Sequence, residues 1–81
     1  MDPTYAIYGT KVVVGFHRPE RYDERVNQYI CRITHVIRVD DENRCHVFID
    51  NGFHRWPIED MILASDIDLL MPEQRARIRW G

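Results

Sequence analysis

Apolar and polar residues alternate with a period of two over residues 29–39, 44–50 and 75–80, and turn-forming residues separate the first two of these stretches from their neighbours. Residues 11–16, Lys-Val-Val-Val-Gly-Phe, are a short β-branched run and predict a first strand. Residues 17–25 form a charged loop with Pro19 inside it, polar enough to lie in water. Residues 29–39 predict a long second strand. Its odd positions Tyr29, Cys31, Ile33, Ile37 and Val39 are apolar apart from His35, while its even positions include Arg32, Thr34 and Arg38. The odd face is therefore expected to lie inward. Asp40-Asp41-Glu42-Asn43 follows as a solvated hairpin turn.

Residues 44–50 return along that strand. Cys45, Val47 and Ile49 share one face and His46, Phe48 and Asp50 the other, so that with the odd face in the core Phe48 points outward. Asn51-Gly52 is expected to supply the two positive-φ positions of a type I′ turn. Phe53-His54-Arg55-Trp56 is the paired strand, and Pro57 ends it by removing a donor. Residues 57–61 predict a single helical turn with proline at its start and acids early, and Ile62-Leu63-Ala64 a short closing strand. Beyond that, Pro72-Glu73-Gln74 has the composition of a helix start, whereas residues 75–80 alternate like a strand; a short helix is expected. The elements predict a mainly β fold of five antiparallel strands, a small partly closed barrel over about residues 8–64 with an extension over 65–81.

Length and composition sharpen this picture. The 81 residues suit one domain, 1–81, and the 44% hydrophobic, 30% charged balance is that of a folded globular chain. No apolar run approaches the roughly 20 residues that cross a bilayer, and the N-terminus has neither a basic region nor an apolar one, so an intracellular protein is expected. A net charge of −2 argues against a general polyanion binder, although ten of the eleven basic residues are arginines and Arg75, Arg77 and Arg79 alternate near the C-terminus.

The runs Gly9-Thr10-Lys11-Val12-Val13-Val14, Tyr29-Ile30-Cys31-Arg32-Ile33, Val47-Phe48-Ile49-Asp50-Asn51-Gly52 and Trp56-Pro57-Ile58-Glu59-Asp60-Met61-Ile62 together resemble Tudor-type and chromo-barrel domains, which are Src-homology-3-like small barrels. The last run carries the most weight, because such barrels often end in an acidic single turn that leads into an apolar closing strand. The resemblance implies a binding module rather than an enzyme, with no cofactor. It implies an aromatic cage that holds a methylated Lys or Arg of a partner, such as a histone tail, by cation–π attraction. Such a function would place the protein in the nucleus. Carried onto this chain, the cage falls on Phe16, Tyr29, Phe48 and Phe53, with Asp50 as the charge partner. The chain departs from the family at the turn, where Asp50-Asn51-Gly52 stands in place of a further aromatic.

Each ring also has a packing role open to it: Phe16 as a plug at the barrel end, Trp56 as a lid, Tyr22 docked from the charged loop. Two further functions compete with the cage. One is a protein-interaction or assembly domain that docks an unmodified partner through Phe48, Phe53, an open strand edge or the arm of Arg75, Arg77 and Arg79, with Tyr22 reaching over the barrel mouth. The other is nucleic-acid binding through arginines and exposed rings. Cys31, His35, Cys45 and His46 offer zinc-type ligands, but the two cysteines and His46 fall on opposite faces and no C-x-x-C pair exists, so no metal site is expected. No nucleophile stands in an activating motif.

Overall fold

In the computed structural model, which describes residues 1–17 and 22–79, the first strand is shorter than its run of valines. β1 is Lys11–Val13, and the backbone bends at Gly15, whose φ of 60° lies in the left-handed region that favours glycine. The charged loop of residues 17–25 falls partly outside the described residues. A 3₁₀ turn, Asn27–Tyr29, leads to Cys31, and β2 begins only at Ile33 and runs Ile33–Val39. β3 (Arg44–Ile49), β4 (Gly52–Pro57) and β5 (Ile62–Leu63) complete the sheet. A 3₁₀ turn, Ile58–Asp60, with Pro57 as its N-cap, occupies the predicted single helical turn before β5. After β5 come a 3₁₀ segment, Ala64–Leu69, and the short helix α1, Pro72–Arg75.

All neighbours in the sheet are antiparallel, in the order β4-β3-β2-β1-β5. The five antiparallel strands are those the alternation predicts, but the sheet is open. Among the described residues no strand pairing joins β4 to β5, and the expected barrel closure does not occur. β5 has two residues and spends both on β1, while Pro57 at the end of β4 has no N–H to offer a further neighbour. No helix among the described residues is long and apolar enough to cross a membrane.

Two expectations of register are corrected. The inward residues of β2 are Thr34 and Val36, not the odd positions, because Cys31 adopts a φ of 64° and resets the alternation before the strand begins. A bulge between Val36 and Arg38 leaves Ile37 unpaired and shifts the register again, so that Val39 lies opposite buried Cys45. In the second hairpin the positive-φ residues are Asp50 (51°) and Asn51 (66°), one position earlier than Asn51-Gly52. Asp and Asn both tolerate the left-handed region, so the turn has no need of Gly52, which instead pairs with Ile49 as the first residue of β4.

The core gathers Val12, Val36, Cys45, Val47, Ile49 and Trp56 from the sheet with Phe16, Ile30, Ile58 and Met61 from the connections. Both Val12 and Val13 are fully buried, since the Ala64–Leu69 segment packs on β1 and β5 and buries Ile67. Trp56 reaches across to Gly15. A Cβ at Gly15 would stand 2.9 Å from Trp56 Cζ3 and 3.5 Å from the backbone of Ile30. Gly15→Ala thus adds a steric overlap in a close-packed core to an unfavourable φ. It should lower the unfolding free energy by about 2 kcal/mol or more, measured by urea denaturation; a loss below about 0.5 kcal/mol would show that the ring does not hold this position.

Candidate functional site

The outer face of β2, β3 and β4 is built by register. A two-residue turn makes Ile49 and Gly52 the hydrogen-bonded pair of the hairpin, so Phe48 and Phe53, next along, form a non-hydrogen-bonded pair with closely set side chains. Their rings meet edge to face with centroids 5.0 Å apart. Phe48 is 47% exposed and Phe53 73%, on the side of β3 that the alternation assigns to Phe48. Thr34 fixes the backbone beneath: its buried hydroxyl donates to the Phe48 carbonyl at 3.0 Å.

Basic residues flank the two rings. Arg38 lies opposite His46 and His46 opposite Arg55 in one cross-strand row, and Lys11 lies opposite His35 on the neighbouring strands. Lys11, Arg38 and Arg55 are exposed, and among the described residues none has an acidic partner. The same pattern leaves the N–H and C=O groups of Phe53 and Arg55 directed away from β3, along the free edge of β4.

The predicted cage does not assemble. Phe48 and Phe53 come together, but Tyr29 stacks at 4.2 Å on His54, whose β3 partner is the core residue Val47 rather than an outer-face residue. Asp50 lies in the turn of the hairpin, yet its carboxylate is held by Arg32 at 2.7 Å. Phe16 is 2% exposed, which corrects its assignment as a cage wall: it is a core residue whose ring is covered by the Arg77 guanidinium at 4.9 Å. Tyr22 packs edge-on against Trp56, and its hydroxyl donates to Asp60 Oδ2. Of the arginine arm, Arg75 ends α1 on the surface, while Arg77 and Arg79 dock back onto the domain: Arg77 Nη2 donates to the Phe16 carbonyl at 2.7 Å, and Arg79 pairs in parallel with Arg32. The cationic flank of Lys11, Arg38 and Arg55 was missed by sequence reasoning. Its signal was the strand alternation itself, which sets Arg55 two residues from Phe53.

The candidate metal ligands are divided between the two faces. Cys31 and Cys45 are buried and His35 is exposed on the outer face, and no group of three or more ligand residues is gathered among the described residues. Burial pushes the Cys45 thiol up to about 11, with the nearby Asp40 carboxylate adding to the effect, so it stays protonated near neutrality. His46 Nε2 lies 3.0 Å from Asp40 Oδ2. Asp40 also accepts from the backbone N–H groups of Glu42 and Arg44, which locks the turn between β2 and β3. Desolvation opposes ionisation of Asp40, but the His46 ring, those two N–H groups and the Arg44 guanidinium outweigh it and hold the carboxyl at about 2, below its ordinary 3.8.

A depressed carboxyl contributes stability above its unfolded-state value and loses it as pH falls through the folded one. The stability advantage of the wild-type chain over Asp40→Asn, measured by denaturant unfolding, should be intact at about pH 5 and shrink steadily toward pH 2. An advantage that stays constant over that range would contradict the role given to Asp40.

No family model matches the chain, and neither a curated protein nor a solved structure matches it, so nothing in these comparisons identifies a Tudor-type domain.

Proposed function

We propose that the domain is a non-enzymatic binding module that docks an extended acidic segment of a partner protein against the outer face and free edge of the β3–β4 hairpin. One observation carries this reading. Two phenylalanines, 47% and 73% exposed, pair on a sheet face beside Lys11, Arg38 and Arg55, cations with no acidic partner among the described residues. Exposed apolar rings are costly to leave in water and useful in contact, and aromatic side chains anchor interfaces at little cost in conformational entropy. The unpaired N–H and C=O groups at Phe53 and Arg55 suit an added strand, and the cations suit acids on that strand.

A methylated ligand fits this arrangement less well. A cage needs several ring faces turned on one cation, whereas Phe48 and Phe53 are turned on each other, Tyr29 on His54, and Asp50 is occupied by Arg32. The same cations beside two rings also suit a single-stranded nucleic acid, and that reading stays in competition. A nuclear location is tied here to the chromatin-reader reading alone.

An array comparing acidic-apolar, basic, methyl-lysine and methyl-arginine peptides with a mixed-sequence single-stranded oligonucleotide distinguishes these readings. The acidic-apolar peptides should be retained best. Phe48→Ser combined with Phe53→Ser should weaken that retention at least about tenfold, while stability changes by no more than about 1 kcal/mol. Preference for methylated peptides, or for the oligonucleotide with a steep loss in salt, would overturn the proposal. Retention unaffected by the double substitution would do the same.

A further inference from the structure

A second contact region lies where residues 76–79 fold back against the segment around residues 27–31. Residues 76–79 lie along the segment that carries Asn27, Ile30 and Cys31, and an open groove of about 510 Å³ remains between them. The arm makes three kinds of contact. The Arg77 guanidinium lies over the Phe16 ring at 4.9 Å while its Nη2 donates to the Phe16 carbonyl at 2.7 Å. Ile78 is 6% exposed and joins the core cluster. The Arg79 backbone N–H donates to the Cys31 carbonyl at 2.9 Å, and its Nη1 donates to the carbonyls of Asn27 and Gln28, both at 3.2 Å.

The receiving surface thus offers one ring face, one apolar seat and four backbone carbonyls that accept from the arm, beside the parallel bridge between Arg32 and Arg79. The carbonyls of Asn27 and Gln28 come from a 3₁₀ turn, and clustered carbonyls favour cations. The tether is loosely held by comparison. Met71, Pro72, Glu73, Arg75 and Ala76 are all exposed, and α1 buries no residue. An arm anchored at three consecutive residues behind an exposed tether, above a groove it does not fill, is placed to open locally without unfolding the sheet.

We infer that this surface is a binding site for an extended arginine–aliphatic–arginine segment of another protein, and that residues 77–79 occupy it in the free chain. The cis occupant defines the chemistry. The Arg77 guanidinium lies over the Phe16 ring and donates to the Phe16 carbonyl at the same time, a combination that a planar, less strongly hydrated group with several donors serves better than the lysine ammonium. A partner segment competes with a tethered copy at high effective concentration, so it binds only when the arm is released or outcompeted. The site is separate from the Phe48–Phe53 face, and either can fail without the other.

The test uses the full chain with Arg77→Ala, Ile78→Ser and Arg79→Ala, which frees the arm, and a fluorescein-labelled peptide with the sequence of residues 74–79, Gln-Arg-Ala-Arg-Ile-Arg. Fluorescence anisotropy should show saturable binding to the freed chain at least about tenfold tighter than to wild type. The same peptide with lysine for arginine should bind at least about fivefold more weakly. A freed chain that keeps its circular dichroism spectrum yet does not bind, or binds no better than wild type, overturns the inference, as does equal binding of the lysine peptide. Should the triple variant not fold, hydrogen exchange in the wild-type chain decides: the Arg79 amide should exchange at least about a hundredfold faster than the buried Cys31 amide, which is bonded to the Val14 carbonyl next to the β1–β2 pairing. Equal protection at the two amides would mark the arm as an integral strand and sink the inference.

Discussion

The packing of Trp56 on Gly15 is the constraint that the rest of the molecule depends on. Trp56 is 2% exposed and lies at the end of β4, while Gly15 closes β1 at the far side of the core. The indole reaches glycine because nothing else would leave room for it. Around this contact the connections converge: Tyr22 packs on the indole and donates to Asp60, and the Asp60 carbonyl accepts from the backbone N–H groups of Phe16 and His17. One ring thereby joins β1, the charged loop, β4 and the 3₁₀ turn before β5. In a chain this small, where surface is large relative to core, a single indole supplies a considerable share of the buried apolar area.

Fixing Trp56 inward also fixes what lies outward. With Trp56 opposite Cys45 and both buried, strand alternation leaves Phe48, Phe53 and Arg55 on the outer face. The inner rings are thereby used up as architecture. Phe16 is covered by Arg77, while the half-buried Tyr22 packs on Trp56 and donates to Asp60 and the half-buried Tyr29 packs against His54. Among the described residues, the aromatics paired with each other in the open are the two phenylalanines of the second hairpin, and this division favours the proposed one-sided docking surface over a ring of converging walls.

How much of this was legible in the sequence depended on the range of the interaction. The five strands, the turn at residues 40–43, the outward position of Phe48 and the single turn before β5 follow from local periodicity and turn chemistry. The inverted face of β2 does not. A cysteine in the left-handed region and an unpaired Ile37 each shift the strand by one residue, and neither leaves a mark on composition. The one-residue displacement of the hairpin turn arose because Asp50, Asn51 and Gly52 all suit positive φ, so three adjacent residues offered two registers. A buried Phe16 was one of two readings open in the sequence, and the residue that covers its ring, Arg77, lies 61 positions away. Parity along one strand locates a side chain relative to its neighbours, while convergence of side chains from several elements is a property of the tertiary fold.

The claim that the outer hairpin face is the functional surface is most directly tested by mapping amide chemical shifts in a ¹⁵N-labelled chain during titration with an extended acidic-apolar peptide. The account predicts that the largest saturable shifts fall on Phe48, Phe53, Arg55 and Arg38, with the amides of Phe53 and Arg55 shifted as their edge groups become paired. Shifts centred instead on Phe16, Tyr29 and His54, with the outer face unmoved, would contradict it.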